Sequence, residues 1–343
     1  MTVAPLLTRD QLDQVLRTAV RAPSVHNTQP WLFELRGDAL HVRVDPDRQL
    51  PVEDPLGREL RLSCGAAVDH ARLSVRGLGL ACEVDWTPSS EDPDHVATVT
   101  VTGPLSTTDE ERQLLDAVLL RRTDRSAYAP TTVPADVVDA LVAAGRHDGA
   151  HVTAEQDHDR VLALEGVVAR ADTSLRRDEE VHREMAAWVR TSSRPADGLP
   201  AGALPDHGAG RGSSLALRDF EPVPPAATAP TTAGDDPPVA EHPLLLVLST
   251  DTDSPEDWAR AGAALSRVLL TATAAGLVVN PQTSALEVTG LRWQLVEELA
   301  LSGRPQMLLR VGYPQGPGSP PSGRRPVGEV LRPPVPERAG SPA

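Results

Sequence analysis

Along the chain, apolar residues follow two periods that replace one another every few dozen positions. Alternation with polar residues predicts strands over WLFEL and LHVRV within 31–44 and over HVATVTVTG at 95–103. The nearly continuous apolar runs PLLLVLS (243–249) and QMLLRVG (306–312) predict two more. Between these segments the period becomes helical. Thr8-Arg9-Asp10-Gln11 reads as a capping box opening Leu12 to Val20, and Pro134 with Asp136 opens Val137 to Ala144. Residues 158–190 read as one long helical stretch, with Leu162, Val168, Leu175, Met185 and Trp188 among its apolar positions, and another helix lies around Trp293 to Ala300.

Two further helices resemble each other. CGAAVDHARLSVRGLGL (64–80) aligns without gaps onto AGAALSRVLLTATAAGL (261–277) at an offset of 197. Gly65/Gly262, Ala66/Ala263, Ala67/Ala264, Leu73/Leu270, Gly79/Gly276 and Leu80/Leu277 are identical pairs. Each helix ends at a glycine, where a left-handed backbone suits a residue without Cβ. Each has a strand upstream and another downstream. The pattern predicts duplication followed by fusion, with a first unit over 1–106, a second over 107–332 and a loose tail over 333–343. The second unit carries an insertion at 191–241, rich in Pro and Gly and too long for an ordinary connector. It reads as a disordered linker or as a lid over a site. Composition favours disorder from Pro222 to Pro238, while LALRDF (215–220) is apolar enough to dock.

Charge narrows the partners. The 33 basic against 48 acidic residues leave −15, a surface that repels phosphate backbones and anionic headgroups, so neither nucleic acid nor membrane is expected. Lysine is absent, so every basic residue counted is Arg. That removes Schiff-base lysine chemistry and the phosphate-loop lysine, and leaves arginine forks, histidines, hydroxyls and backbone N–H groups to hold an anion. Cys64 and Cys82 read as reduced thiols of a cytoplasmic protein, with Cys64 buried at the head of its helix. No secretory signal or membrane-spanning run is visible, and the scattered histidines make no metal-ligand pattern.

Three segments carry candidate chemistry. Arg21-Ala-Pro-Ser-Val-His-Asn-Thr-Gln-Pro-Trp31 is a polar loop stiffened by Pro23 and Pro30. It is either a set of donors prepared for a polar ligand or a helix stop that satisfies itself. Arg121-Arg-Thr-Asp-Arg125 groups three arginines beside a hydroxyl, able to clamp a phosphate dianion or to form a solvated basic turn. Gly323-Arg-Arg-Pro326 repeats the theme near the end. His26 is expected to pack against Trp31.

In this order, PSxxNxQPW, RRxxR, a Gly-ended small-residue helix, VGYP and a late RRP resemble the FMN-dependent nitroreductase family. APSVHNTQPW, RLSCGAA, RRTDR and DGLP (197–200) are most similar to its Acg-type branch, over about residues 8–332. The resemblance implies an α+β fold, a nitroreductase-like α-β-α sandwich whose two fused pseudo-symmetric halves mimic a homodimer. It also implies FMN. In the family, each flavin site takes the Arg-rich motif and a C-terminal Arg from one subunit and the PSxxN loop from the other. Here the first unit has PSVHN (23–27) and the second has RRTDR with Arg324 and Arg325, while Arg146-His-Asp-Gly-Ala-His151 stands where a second PSxxN belongs. The resemblance therefore implies one FMN per chain in a monomeric pseudo-dimer, with loop 23–29 facing Arg121, Arg122 and Arg125. A homodimer with sites across chains is the alternative.

By the same resemblance, Arg121, Thr123 and Arg325 hold the phosphate, helped by Arg122 and Arg324, and Ser24 and Asn27 add neutral hydrogen bonds. Pro23, Val25 and Gln29 complete the loop. Arg125 stands near the flavin N1–O2 edge, and the loop Asn280-Pro281-Gln282-Thr283 offers N5 a backbone N–H, from Gln282 or Thr283 because Pro281 has none. Three functions follow as expectations. One is hydride transfer from NAD(P)H through FMN to a nitroaromatic, quinone or similar small acceptor. Another is low-turnover FMN storage under a lid, and the third is a scaffold without cofactor.

Overall fold

Capping residues start the helices where the sequence placed them. The computed structural model describes residues 7–87, 92–192, 195–201, 242–316 and 319–333. Thr8 and Gln11 exchange side-chain and backbone hydrogen bonds before α1 (Arg9–Ala19). β1 (Trp31–Arg36), β2 (Ala39–Val44), α2 (Arg58–Gly77), β3 (Leu80–Asp85) and β4 (His95–Pro104) follow. Then come α3 (Asp109–Leu120), α4 (Ala135–Gly145), β5 (Ala150–Glu155), α5 (His158–Arg176), α6 (Glu179–Ala187), β6 (Val189–Arg190) and β7 (Leu199–Pro200). After the insertion the chain forms β8 (Leu244–Thr250), α7 (Pro255–Ala274), β9 (Val278–Gln282), α8 (Ser284–Glu287), α9 (Thr289–Glu298), β10 (Arg304–Gly312), α10 (Val327–Val330) and β11 (Leu331–Arg332).

The larger sheets have matching orders. One runs β11-β1-β2-β4-β3 and the other β5-β8-β10-β9. Apart from β11, which lies parallel to β1, every neighbouring pair in both is antiparallel. α1 and α2 pack on the first sheet, while α4 and α7 pack on one face of the second. α5, α8 and α9 cover the other face of the second sheet. Successive residues of β8 therefore enter different cores: Leu244, Leu246 and Leu248 face α7, and Leu245 and Val247 face α5. That explains why β8 reads as an unbroken apolar run. Although residues 327–332 come late in the chain, Val330 and Leu331 complete the first sheet's core.

α2 and α7 meet through their glycines. A Cβ on Gly65 would lie 1.8 Å from the Ala259 carbonyl oxygen, and one on Gly262 would lie 1.9 Å from that of Leu62. The pairs 65/262 and 62/259 share the offset of 197, so the contact is reciprocal, as at a two-fold interface. Ser266 Oγ donates to Asp69 Oδ2 at 2.7 Å across the same offset. Burial alone would raise the Asp69 carboxyl, but Arg267 and Arg72, at 2.8 and 2.9 Å, with His147 and Ser266, hold it well below the usual carboxylate range.

The structure corrects three expectations. The stretch 158–190 is two helices, because Asp178 turns its carboxylate onto Glu180 and Val181 N–H and starts α6 afresh; the chain is already extended at Val189. Residues 280–282 belong to β9 rather than a loop. Val278 and Val279 favour the strand, and Pro281 is tolerated because β9 lies at the end of its sheet order. Cys64 sits within α2 rather than at its head, since the helix begins at Arg58. Its thiol, bonded to Pro30 O, is pushed up by burial, and no disulfide joins it to Cys82. LALRDF (215–220) and the tail beyond 333 lie outside the described residues.

Candidate functional site

The turn between α1 and β1 is held in a costly backbone. His26, Asn27 and Gln29 have φ of 44°, 55° and 52°. That left-handed region disfavours an L-residue by about 1–2 kcal/mol, least for Asn. Local bonds hold it: Ser24 Oγ accepts from Gln29 N–H at 3.0 Å, and Ser63 Oγ of α2 accepts from Val25 N–H at 3.3 Å. Because Ser24 Oγ is already an acceptor, its own proton remains to be donated.

The opposite wall is the segment after α3. Thr123 bridges to Val279 of β9, and Asp124 N–H donates to Val279 O at 3.1 Å. The Tyr128 hydroxyl donates to Asp124 O at 3.1 Å. Arg310, fully buried in β10, places its guanidinium 3.8 Å from the Tyr128 ring centre and donates to Ser126 O at 3.1 Å. Arg310 thus holds the arginine-rich turn from beneath. Sequence reading missed it, since one Arg in an apolar strand has no motif around it.

These walls enclose one groove. Two adjoining cavities share Pro23, Ser24, Thr123 and Arg125. The first sets Leu62, Leu265 and Met307 against His26, Asn280 and Gln282. The second is cationic, lined by Arg21, Arg121, Arg122 and Arg324. An apolar, amide-fringed chamber therefore opens into a positive basin, with Arg125 at the junction.

Among the described residues, no carboxylate pairs with the basin's Arg121 or Arg324. Burial pushes the Arg121 guanidinium down to about 10; burial, then repulsion from Arg121 and Arg21, pushes Arg324 down to about 9. Both remain cations at neutral pH. The Arg121 side chain makes no hydrogen bond or ion pair among the described residues, and its Nε is buried without a partner. Two neighbouring cations with no counter-ion among the described residues suit a dianion.

Most of the residues singled out in the sequence meet here. Pro23, Ser24, Val25, Asn27, Arg121, Arg122, Thr123, Arg125, Pro281, Gln282, Thr283 and Arg324 line the groove. Arg325 and Gln29 do not. Arg325 turns away to Asp45 Oδ2 (3.2 Å) and Gln29 O (3.1 Å), and Gln29 Oε1 accepts from Arg325 N–H at 2.7 Å. The buried Asp45 decides which of the adjacent arginines faces the basin, and it is Arg324. Asn27 is committed to the walls: it donates to Gly198 O and Gly323 O, and its Oδ1 accepts from Arg324 at 3.1 Å. His26 is also held by a carboxylate: its Nε2 lies 2.5 Å from Glu53 Oε2.

The described start of the insertion docks on the same loop. Gly198 N–H donates to Asn27 O, and Gln29 Nε2 donates to Ala196 O. Asp197 lies between Arg48 and Arg190, 3.0 Å from each, and Trp188 sits beneath both guanidiniums. Glu184 of α6 accepts from Val52 and Glu53 N–H. Leu199 reaches the basin, while Val168 and Asp172 of α5 reach the apolar chamber.

Comparison with known proteins places this geometry in a lineage. The model of the Nitroreductase family matches residues 118–313. Rv3131 of Mycobacterium tuberculosis, whose name is that of an NAD(P)H nitroreductase, is 36% identical over 92% of this chain and 90% of its own. The similarly named acg of the same organism is 31% identical over 95% and 96%. A nitroreductase of Bacteroides fragilis crystallised with bound FMN overlaps 63% of this chain and 96% of its own, at 15% identity and a TM-score of 0.39.

Proposed function

The chain belongs to the nitroreductase family, and from that premise we propose that its groove holds one FMN and carries hydride from NAD(P)H to a nitroaromatic, quinone or similar acceptor. The observation that carries this reading is the pair Arg121 and Arg324, with no carboxylate partner among the described residues, at one end of an apolar chamber.

In this reading Arg121 and Arg324 grip the phosphate, while Arg122 guards the rim and the hydroxyls of Ser24 and Thr123 donate to it. Each charge-assisted contact is worth roughly 1.5–3 kcal/mol. Asn27 positions Arg324, and Arg325 braces the loop rather than touching ligand. Leu62, Leu265 and Met307 keep water from the ring system. Arg125 would supply positive charge to the reduced ring system, and Gln282 or Thr283 would offer it a backbone N–H. Bound FMN itself supplies the two-electron hydride chemistry, so no nucleophile is needed among the side chains.

One FMN per chain follows from a fused, duplicated architecture. The matching sheet orders and the reciprocal glycine contact at offset 197 support it. The loop after α4, where a second PSxxN would stand, is instead tied down by charge. Asp148 and His147 bind Arg72 beside the buried Asp69. A single chain then suffices for a site, as a monomer.

The test is direct. Purified protein should absorb as a flavoprotein at one equivalent per chain and bleach on anaerobic addition of NADH or NADPH. Colourless protein that takes up no FMN overturns the assignment, and two equivalents overturn the count. A second reading, FMN storage under a cover, is favoured by one observation: α5 and segment 195–200 already wall the groove. Persistent colour under NAD(P)H that bleaches once 195–238 is deleted would select it.

A further inference from the structure

A buried cation lies beside the groove without lining it. Arg310 stands mid-strand in β10, fully buried, and is not among the residues that line either cavity. Its neighbours Leu309 and Val311 face α7, so Arg310 shares the α5 face with Leu308. Across the ladder it pairs with Asn280 of β9, which does line the apolar chamber. Taking a guanidinium out of water is costly, and an apolar residue would suit a sheet interior better. What Arg310 holds is the turn after α3. It donates to Ser126 O, and its guanidinium sits against the Tyr128 ring. Gly312 leaves room for that ring, since a Cβ there would lie 2.6 Å from Tyr128 Cδ2. The Tyr128 hydroxyl donates to Asp124 O in turn. Asp124 stands between Thr123 and Arg125, and both of these line both cavities.

We propose that Arg310 is a positioning residue of the flavin site: through Ser126 and Tyr128 it fixes the turn that carries Thr123 and Arg125, and so sets how strongly the groove prefers reduced over oxidised FMN. The proposal rests on the FMN reading. The reduced ring system carries the extra negative charge, and a cation fixed in one place stabilises it more than the same cation spread over several. Within the turn the bonds are local, because Asp124 Oδ1 accepts from Ser126 N–H and from its hydroxyl. Those bonds shape the turn without tying it to the sheet. Its ties are Thr123 and Asp124 to Val279 of β9, and Ser126 and Tyr128 to Arg310 of β10. The tie to Ser126 runs through the Arg310 side chain, so it can be cut while the ladder between β9 and β10 stays whole. The competing account is that the buried Arg310 charge acts on the ring directly through space.

The test is a double-mutant cycle read by equilibrium binding. Flavin-free protein is titrated with oxidised FMN and, anaerobically, with reduced FMN, and the ratio of the two dissociation constants is the readout. Arg125→Gln should lower the preference for reduced FMN by about tenfold, the loss of one charge-assisted contact. Arg310→Met should lower it by about as much, and the double variant no further than Arg125→Gln alone, because both changes remove the same fixed charge. Arg310→Lys keeps a cation and a donor for Ser126 O, so it should restore most of the preference. Tyr128→Phe removes the bond to Asp124 O but leaves a ring against the guanidinium. It should lower the preference by about threefold, and it serves where Arg310→Met fails to fold. A merely structural Arg310 would weaken both forms of FMN equally and leave the ratio where it stood. An unchanged ratio in Arg310→Met and Tyr128→Phe overturns the proposal. So do losses that multiply in the double variant, which assign the effect to the Arg310 charge itself. A parent that binds FMN without preferring the reduced form overturns this inference alone, while a parent that binds neither form overturns the cofactor reading as well.

Discussion

The crossing of α2 and α7 makes a sharp prediction. In Gly65→Ala the new Cβ would start 1.8 Å from the Ala259 carbonyl oxygen, and in Gly262→Ala 1.9 Å from that of Leu62. Carbon and carbonyl oxygen settle at about 3.3–3.6 Å even in favourable contacts, so the backbones must part by more than about 1 Å. The clashing atom in each case is backbone of a 20-residue helix packed into both main cores, so no flexible side chain can yield. Parting the helices loosens Ala66, Ala67, Ala263 and Ala264, all wholly buried. Overpacking of this kind costs roughly 1–3 kcal/mol, occasionally more, and outweighs the ~1 kcal/mol that Ala gains over Gly in a helix. Gly166→Ala in α5 is the control: the nearest atom is a flexible Arg170 tip at 3.5 Å, so there the helix gain of up to ~1 kcal/mol should appear. Urea unfolding followed by circular dichroism reads each change. The double variant should lose less than the sum of the singles, because one separation relieves both clashes. A Gly65→Ala protein as stable as Gly166→Ala would refute the close crossing.

The remaining predictions concern the site and pH. Arg121→Ala and Arg324→Ala should each weaken FMN binding by a factor of roughly 10–150, as 1.5–3 kcal/mol requires, with little loss of fold stability; fluorescence titration checks this. Arg325→Ala should do the reverse, lowering stability by about 1.5–3 kcal/mol in urea melts, because the buried Asp45 loses a charge-assisted bond and keeps only Arg48, at 3.6 Å. Asp197→Ala releases Arg48 and Arg190 from a partly exposed bridge, so stability should change by under about 1 kcal/mol while NAD(P)H bleaches the flavin faster in stopped flow. Burial lowers His70 from 6.5 to about 4, so the unfolded chain binds the extra proton between those values. Stability should therefore be full above pH 6.5 and fall by up to about 3 kcal/mol as the pH drops towards 4, a limb that His70→Gln should flatten in melts across that range.

Local patterns in the sequence resolved the scaffold well. A capping box is a short-range event, so Thr8 and Gln11 could be read directly. The 197-residue offset was equally legible, because glycines are required wherever two backbones touch, and each of Gly65 and Gly262 meets the other helix's carbonyl. β3 and β5 were missed because their half-exposed residues make no run, and β9 because Pro281 resembles a loop marker until its place at the sheet's edge is known.

The site itself divides along the same line. It was the resemblance carried by the order of the motifs that brought PSVHN and RRTDR together; by residue type alone, each could equally be a helix stop or a solvated turn. Which atoms face the ligand was decided elsewhere. Arg324 and Arg325 are chemically identical neighbours, and only the buried carboxylate of Asp45 draws one away, from 280 residues earlier in the chain. His26 likewise pairs with Glu53, 27 residues along, a partner that no motif announces. In both cases a buried carboxylate chose the partner. A charge removed from water must find its counter-charge wherever the fold places one, so pairing between distant segments overrides local order at the positions where chemistry is done.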